Sequence, residues 1–251
     1  IIKFMSTEQK FPTEIVELPS KGLLYPKDSP LASGTIEMKY MTAKEEDILT
    51  NQNYIEKGVV IDKLLQSLII DKTIDYNQIL VGDKNALLIA ARILGYGAEY
   101  EFNYGGEKET IDLSSLNNKE LNQELFSDGK NEFTYTLPAS NTNITFKLLT
   151  HGDENKLDQE IRGLKKINKN ASPELSTRLK HMITSVDGDS DTKVIRDFVD
   201  NAFLARDSRA FRKYVAEIQP DVDLKFYPEN GPEEGVDIPI GINFLWPDAN
   251  L

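Results

Sequence analysis

Apolar residues in the first half of the chain recur mainly at helical spacing. A stripe after Gly58 predicts one amphipathic helix; its members are Val60, Leu64, Leu65, Leu68 and Ile69. Residues 84–94 are apolar on nearly all sides, which predicts a buried helix that ends at Gly95-Tyr96-Gly97. Thr42 and Glu45 have the spacing of a capping box, so a further helix is expected over residues 43–51.

Strand-like patterns lie before and after these predicted helices. Residues 100–102 and 110–113 flank Gly105-Gly106 and predict a β-hairpin, and a short strand is expected at 35–41. Residues 132–137 and 144–149 predict two more strands. The polar residues 115–127 predict a helical connector.

The second half returns to helical spacing at Asp153, with a helix expected over residues 153–168. Ser172, Asp191 and Asp207 are predicted to cap three further helices. The first of the three is expected to carry an apolar stripe that continues to residue 186; the stripe consists of Leu175, Leu179, Met182, Ile183 and Val186. Pro220 is expected to end the last helix.

The C-terminal residues resemble the first hairpin in pattern. Strands are predicted at 224–227 and 236–244 around a turn-rich tip at 228–232, an echo of residues 101–113. The chain would then follow the order helices, hairpin, helices, hairpin. This order predicts an α+β fold of two helical blocks, each followed by a ribbon-like β-hairpin.

Residues 1–35 contain four prolines among spaced apolar side chains, Leu23 and Tyr25 included. Proline disfavours both helix interiors and central strands, so an extended N-terminal arm is expected. The predicted divisions are an arm at 1–35, a helical block with hairpin at 36–114, a connector with a strand pair at 115–150, a helical block at 151–219, and a C-terminal hairpin and tail at 220–251.

Composition narrows the possible functions. The chain has 251 residues, 39% of them hydrophobic, with a formal net charge of −12. Nucleic acids and anionic membranes repel such a protein, so neither is an expected partner. Cys is absent and His occurs twice, which argues against thiolate and His-rich metal sites. No apolar run approaches the roughly 20 residues of a membrane span, and the first residues lack a signal-peptide core, so a soluble intracellular protein is expected.

Two acidic segments are candidate sites. The alternating aspartates of Asp187-Gly188-Asp189-Ser190-Asp191 resemble the start of a calcium-binding loop. However, Thr192 and Phe198 occupy the positions where an EF-hand requires Gly and Glu. The segment is better explained by a helix cap at Asp191. His151-Gly152-Asp153-Glu154 offers acid–base groups, yet a cap at Thr150 or Asp153 is the simpler interpretation. We therefore expect no catalytic residue, no cofactor and no metal, and no enzymatic activity.

Candidate interface residues come from three segments. Arg209 and Arg212 belong to a basic cluster that either docks an acidic partner or pairs with Asp207 and Glu217 on a solvated helix face; the second interpretation is favoured. Phe244 and Trp246 lie in the closing segment, where core packing and an interface anchor are equally good explanations. Leu23 and Tyr25 complete the set as anchors on the arm.

Several segments, in order from about residue 15 to 248, resemble the small hub subunit of contractile-tailed, T-even-type bacteriophage baseplates. They are Leu18-Pro19-Ser20-Lys21-Gly22 with Tyr25-Pro26, Met41 to Leu49, Gly58 to Leu65, Gly82 to Arg92, Leu148-Leu149-Thr150 with Asp153-Glu154, Asp207 to Tyr214, Pro220 to Leu224, and Asn243 to Pro247. None of these segments is a catalytic signature.

The resemblance implies a structural or assembly protein of the baseplate hub that contacts other hub proteins. It would lie in the tail baseplate of the virion, and in the host cytoplasm during assembly. Related proteins often carry a Cys-x-x-Cys knuckle at the hairpin tips. Here the tips read Tyr104-Gly105-Gly106-Glu107 and Pro228-Glu229-Asn230-Gly231-Pro232, so the hairpins are expected without metal ligands.

Two alternatives remain open at this point. The protein could be a chaperone that helps the hub form and is absent from the finished virion. It could also be a metal-free, ribbon-like nucleic-acid-binding module, which the net charge of −12 disfavours.

Overall fold

A computed structural model describes residues 12–126, 129–170, 172–228, 232, 234–240 and 244–246. The helices are α1 Ala43–Leu49, α2 Gln52–Lys57, α3 Val60–Leu68, α4 Val81–Tyr96, α5 His151–Ile167, α6 Glu174–Met182, α7 Thr192–Asp197 and α8 Ala205–Ile218. The strands are β1 Thr13–Glu17, β2 Thr35–Lys39, β3 Glu99–Tyr104, β4 Glu107–Asp112, β5 Phe133–Thr136, β6 Asn143–Phe146, β7 Ile183–Val186, β8 Lys225–Phe226 and β9 Val236–Asp237. The fold is α+β, as predicted. Within the described residues, no helix is both long and apolar enough to cross a bilayer.

The segment predicted as an arm belongs to the core from residue 12 onward. β1 pairs antiparallel with β2, and the chain between them turns inward so that Leu18, Leu24 and Leu31 are at most 2% exposed. Pro30 opens a short 3-10 helix, where its missing N–H costs nothing. The apolar anchors of the predicted arm therefore pack on the chain's own core, but residues 12–35 are not extended throughout, because their prolines lie at turns. Residues 1–11 lie outside the described part.

The first helical block packs α1, α2 and α3 beside the long helix α4. The capping box between Thr42 and Glu45 is present at the start of α1, as predicted. A Gly58 in the left-handed conformation ends α2, a helix that the sequence pattern did not predict. In α4, Leu87 is fully buried while Leu88 is only half-buried, and eight of the sixteen positions are buried, so the expectation of a helix buried on nearly all sides holds for half of the helix.

The two hairpins pack against each other. β3 and β4 form the predicted hairpin around Gly105 and Gly106, both of which have positive φ. Phe226 of β8 contacts Phe102 edge-on, with ring centroids 5.3 Å apart. The hydroxyl of Tyr100 donates to the carbonyl of Pro239 at 2.7 Å, which joins the first hairpin to the residues after β9. β8 and β9 pair over only two residues each, so this hairpin is shorter than predicted.

Two sequence predictions between the blocks are wrong. Residues 115–127 do not form a helical connector: over the described residues they contain the end of a 3-10 turn at Leu113–Ser115, a β-bridge from Asn118 to Val222, and a 3-10 turn at Gln123–Leu125. The apolar stripe at 175–186 is not one helix, because α6 ends at Met182 and the next four residues form β7. β7 pairs with β6, giving a three-stranded antiparallel sheet in the order β5, β6, β7. β-branched Ile183, Thr184 and Val186 favour this strand.

The second helical block consists of α5 to α8. Asp191 caps α7, as predicted, and of the two caps considered for α5 Thr150 is the N-cap, with Asp153 completing a capping box. Asp207 does not cap α8, because the helix begins at Ala205 after an extended Leu204. Buried apolar residues from all five predicted segments belong to one cluster; examples are Leu24, Leu87, Leu137, Phe211 and Phe244.

Candidate functional site

The first candidate, His151, lies in a polar cluster between α3, α4 and α5. Its Nδ1 is 3.1 Å from Lys84 Nζ, and the side-chain amide of Asn155 is 2.9 Å from its Nε2. Lys84 Nζ also donates to Asp62 Oδ1 at 2.7 Å, and the hydroxyl of Tyr76 donates to the same oxygen at 3.1 Å. Each polar group of the cluster therefore has a partner within it.

The electrostatics of this cluster favour a structural role. Burial lowers the pKa of His151, and the neighbouring Lys84 ammonium lowers it further. A neutral imidazole can accept from one of its two neighbouring donors, Lys84 Nζ or Asn155 Nδ2, at the ring nitrogen that carries no hydrogen. The Asp153 carboxylate accepts a hydrogen bond from Lys147 Nζ at 2.6 Å, and within the capping box it accepts another from the backbone N–H of Thr150. The cluster thus ties α3, α4 and α5 together.

The acidic loop between β7 and α7 uses its carboxylates for local bonds. Asp187 accepts from the backbone N–H of Asn143 at 2.9 Å, Asp189 from that of Asp191, and Asp191 from that of Lys193. A search of the described residues finds no group of three or more acidic or His side chains placed to hold a metal ion. The loop geometry is that of a tight turn followed by a helix cap.

Tyr25, a predicted interface residue, is internal. It is 4% exposed, and its hydroxyl donates to Asp83 Oδ2 at 2.6 Å and accepts from the backbone N–H of Leu80 at 2.9 Å. Ser20 donates to the same carboxylate through its N–H and its hydroxyl. Burial raises the pKa of the Tyr25 hydroxyl, and the Asp83 carboxylate adds to this rise. These hydrogen bonds join the N-terminal segment to the start of α4. Leu23, the other predicted interface residue of this segment, is half-buried against the core.

The closing segment is also turned inward. Phe244 is 1% exposed and contacts the Tyr100 ring edge-on, with centroids 5.0 Å apart. Trp246 is half-buried, and its indole N–H donates to the carbonyl of Leu49 at 3.1 Å. Of the two explanations that the sequence left open, core packing is the one that these contacts support. Phe244 therefore offers no surface to a partner, and Trp246 only part of one.

The basic residues of α8 are the predicted interface residues that face solvent. Arg206, Arg209 and Arg212 are exposed, and none of them forms an ion pair with any residue that the structure describes. Asp207, their expected partner, is fully buried and accepts from the backbone N–H groups of Ala139 and Ser140 at 2.7 and 3.0 Å. These arginines therefore lie on a solvated face, as the favoured interpretation holds, but the pairing with Asp207 that it included is wrong. Only the contact of Lys213 with Glu217, at 3.8 Å, matches it.

Arg212 also borders a groove between α8, α6 and the start of α4. The groove encloses about 230 Å³ and has a mainly apolar lining; the lining residues are Val81, Leu149, Arg178, Met182, Phe211, Arg212, Val215, Ala216 and Gln219. We call this feature the α8 groove. Arg178 and Arg212 are its charged members, and both are exposed.

Arg178 and Met182 of the groove were not predicted from the sequence. They lie one helical turn apart on α6, and the pattern there merged α6 with β7 into one stripe. Nothing in the local sequence of α6 indicates that its residues share a groove with residues of α8. The arginines of α8 were the only local signal for this surface.

Comparisons of the chain with protein-family models, with curated proteins and with solved structures found no match.

Proposed function

We propose that this protein is a structural or assembly component that works by binding other proteins, and that its setting is the hub of a contractile phage tail baseplate. The observation that carries the mode of action is the α8 groove, an apolar depression bordered by the exposed Arg212, which lacks an ionic partner among the described residues, and by Arg178, which has only an exposed pair with Glu154. The ordered segments that resemble baseplate hub subunits support the setting.

The size and lining of the α8 groove favour a protein partner. Its volume of about 230 Å³ lies below the range of about 300–1,000 Å³ that is usual for small-molecule sites. A depression of this size suits one or two large side chains, and buried side-chain anchors surrounded by a polar rim are typical of binding hot spots.

The segments that carry the resemblance also contribute to the fold. Ser20, Asp83 and Asp207 come from three of these segments, and each forms buried hydrogen bonds that join elements distant in sequence. Such positions tolerate few side chains, because an unpaired buried donor or acceptor is costly. A resemblance at these residues is what a shared hub-subunit fold would produce.

Co-purification tests the proposal. The tagged protein would be expressed with the baseplate and hub proteins encoded by the same phage, and the bound proteins would be identified by mass spectrometry. We expect at least one hub protein to be retained at a fixed ratio. Retention of none of them, with a tagged hub protein of known contacts as positive control, would contradict the proposal.

Proteomics of purified virions separates a virion component from an assembly chaperone. A virion component remains in the particle in constant proportion to the other baseplate proteins, whereas a chaperone is present in assembling extracts and absent from virions. Either result is compatible with protein binding. Only the first supports a permanent place in the baseplate, which is the form of the function that we propose.

A further inference from the structure

We infer that the α8 groove binds a partner segment that combines a large apolar side chain with nearby carboxylates. The inference rests on the proposed function and specifies the chemistry of its partner. It starts from charge. In a chain of net charge −12, Arg212 at this groove has no ionic partner among the described residues, and Arg178 has only an exposed contact with Glu154, so the groove is a local site for negative charge.

The guanidinium group of Arg212 is free to pair with a carboxylate. Its Nε donates to the carbonyl of Ser208 at 3.3 Å, and among the described residues its two terminal nitrogens have no hydrogen-bond partner. A planar guanidinium with two free N–H groups matches a carboxylate in bidentate geometry. Arg178 on the other helix contacts Glu154 at 3.3 Å, but this exposed pair is weakly held and a partner carboxylate can compete for it.

The floor between the two arginines is apolar and adaptable. Leu149, Met182 and Val215 are each less than 9% exposed and line the groove below Arg178 and Arg212. Methionine is flexible and polarizable, so it can adjust to an inserted side chain. An apolar anchor would cover this floor while flanking carboxylates reach the arginines, which is the arrangement of an apolar centre with a polar rim.

Charge complementarity selects this occupant over two others. A nucleic acid could pair its phosphates with the arginines, but the aromatic ring in the groove, Phe211, is fully buried and has no face on which a base could stack. A second copy of the chain would bring a net charge of −12 toward a protein of the same charge. We therefore commit to an acidic, apolar segment of a different protein.

Site-specific photocrosslinking tests the inference. A benzophenone amino acid replaces Ala216, an exposed lining residue, and a control protein carries it at Lys44, which is exposed on α1. Each full-length protein is co-expressed with the hub proteins of the phage and irradiated, and the crosslinked segment is located by mass spectrometry. We expect the Ala216 probe to crosslink to a segment in which an aromatic or large aliphatic residue lies within four positions of Asp or Glu.

Charge reversal supplies the second measurement. The double variant Arg178→Glu and Arg212→Glu should lower the crosslink yield at Ala216 by about tenfold or more, because a like charge now faces the carboxylates. Lys44→Glu, a reversal on the α1 surface, should leave it unchanged. All sites are exposed, and thermal melts of the variants establish that each is folded.

The outcomes separate the inference from the proposed function. If hub proteins co-purify but the Ala216 crosslinks map to basic or uncharged segments, to nucleic acid or to a second copy of the chain, the inference is wrong and the function stands. An unchanged yield in the double arginine variant leads to the same conclusion. If no hub protein co-purifies with the unmodified chain, the proposed function itself fails, and the inference fails with it.

Discussion

Three buried carboxylates join different elements of the fold through hydrogen bonds. Glu45, Asp83 and Asp207 are each fully buried, and each accepts at least two hydrogen bonds. A buried carboxylate without such partners would be strongly destabilising, so these bonds decide whether the surrounding elements can pack. Glu45 has the most complete set: Lys39 Nζ at 2.6 Å, the hydroxyl of Ser67 at 2.8 Å, and the N–H and hydroxyl of Thr42.

The stability of the protein should depend on the ionisation of Glu45. Burial alone would raise its pKa, but the hydrogen bonds from Lys39, Thr42 and Ser67 outweigh burial and lower the pKa from 4.5 to about 2. A pKa that folding lowers contributes stability above the unfolded value, and this contribution is lost as the pH falls from about 4.5 to about 2. We expect Glu45→Gln to lower the free energy of unfolding at pH 7 by on the order of 2–3 kcal/mol.

Urea unfolding at a series of pH values checks this expectation. The difference between wild type and Glu45→Gln should shrink steadily below pH 4.5 and nearly vanish at pH 2. Glu46→Gln is the matched control, because Glu46 is the exposed neighbour on the same turn of α1. A Glu45→Gln difference that stayed constant with pH would show that lost packing, and not lost charge, is responsible.

Residue-scale predictions succeeded where the interaction is local in sequence. The capping box at Thr42–Glu45 could be recognised because donor and acceptor are three residues apart, and the cap at the start of α5 was narrowed to Thr150 or Asp153 for the same reason. The prediction that Asp207 caps α8 is wrong. An Asp ahead of an apolar stripe at helical spacing gives the same sequence pattern whether it caps the helix or already lies in its first turn. Its true partners, the N–H groups of Ala139 and Ser140, lie more than 60 residues away in sequence.

At the scale of elements, hydrophobic periodicity located most helices and strands. It did not locate the point at which a helix is followed directly by a strand. The apolar residues of α6 and β7 have no turn residue between them, so the pattern alone merges them. The strand forms because β6 offers an open edge with which β7 can pair. That edge is created by tertiary structure. The short β8–β9 hairpin and the 3-10 turns of residues 113–125 likewise depend on packing more than on local pattern.

The contact between α4 and Pro220 gives a sharp test of element packing. A Cβ atom added at Gly82 would lie 1.8 Å from the carbonyl oxygen of Pro220, a distance that no rearrangement of a flexible side chain can relieve. We expect Gly82→Ala to lower the free energy of unfolding by about 1–3 kcal/mol, despite the better helix propensity of alanine, because α4 must move away from residues 220–221.

Gly163 is the matched control for this substitution. It lies exposed in α5, and a Cβ there would have no neighbour within 4 Å. Gly163→Ala should therefore raise the free energy of unfolding by about 0.5–1 kcal/mol, as expected for an unobstructed helix interior. Chemical denaturation of both variants compares the two signs directly. A stabilised Gly82→Ala protein would mean that α4 and Pro220 are not in close contact.

At the scale of the whole molecule, surfaces were harder to predict than the core. Arg209 and Arg212 are interface candidates on the evidence of a charge cluster, but the apolar residues beside Arg212 in the groove also come from α4, α6 and the segment between β6 and α5. No single segment carries the pattern of that groove. The aromatic candidates present a different difficulty. Tyr25 and Phe244 are large and apolar, as interface anchors usually are, but the same properties suit a buried core residue, and both are buried here.

The two chain ends described by the structure join the same core, which has a consequence for unfolding. The single tryptophan, Trp246, donates to the carbonyl of Leu49 at 3.1 Å, and the adjacent Leu245 is 2% exposed. Leu18, near the other end, belongs to the same buried cluster. Detachment of the tail would therefore expose part of the common core, so it should not precede unfolding of the helices.

We expect Trp246 fluorescence and far-ultraviolet circular dichroism to report one transition with the same urea midpoint, as a cooperative single domain requires. Trp246→Phe keeps an aromatic ring but removes the indole donor to Leu49, and it should lower the midpoint measured by circular dichroism. A wild-type fluorescence transition at clearly lower urea than the dichroism transition would show that the tail is a separable appendage. In that case the fold would consist of a helical body with an independently docked C-terminal segment, and the expected cost of Trp246→Phe would disappear from the dichroism midpoint.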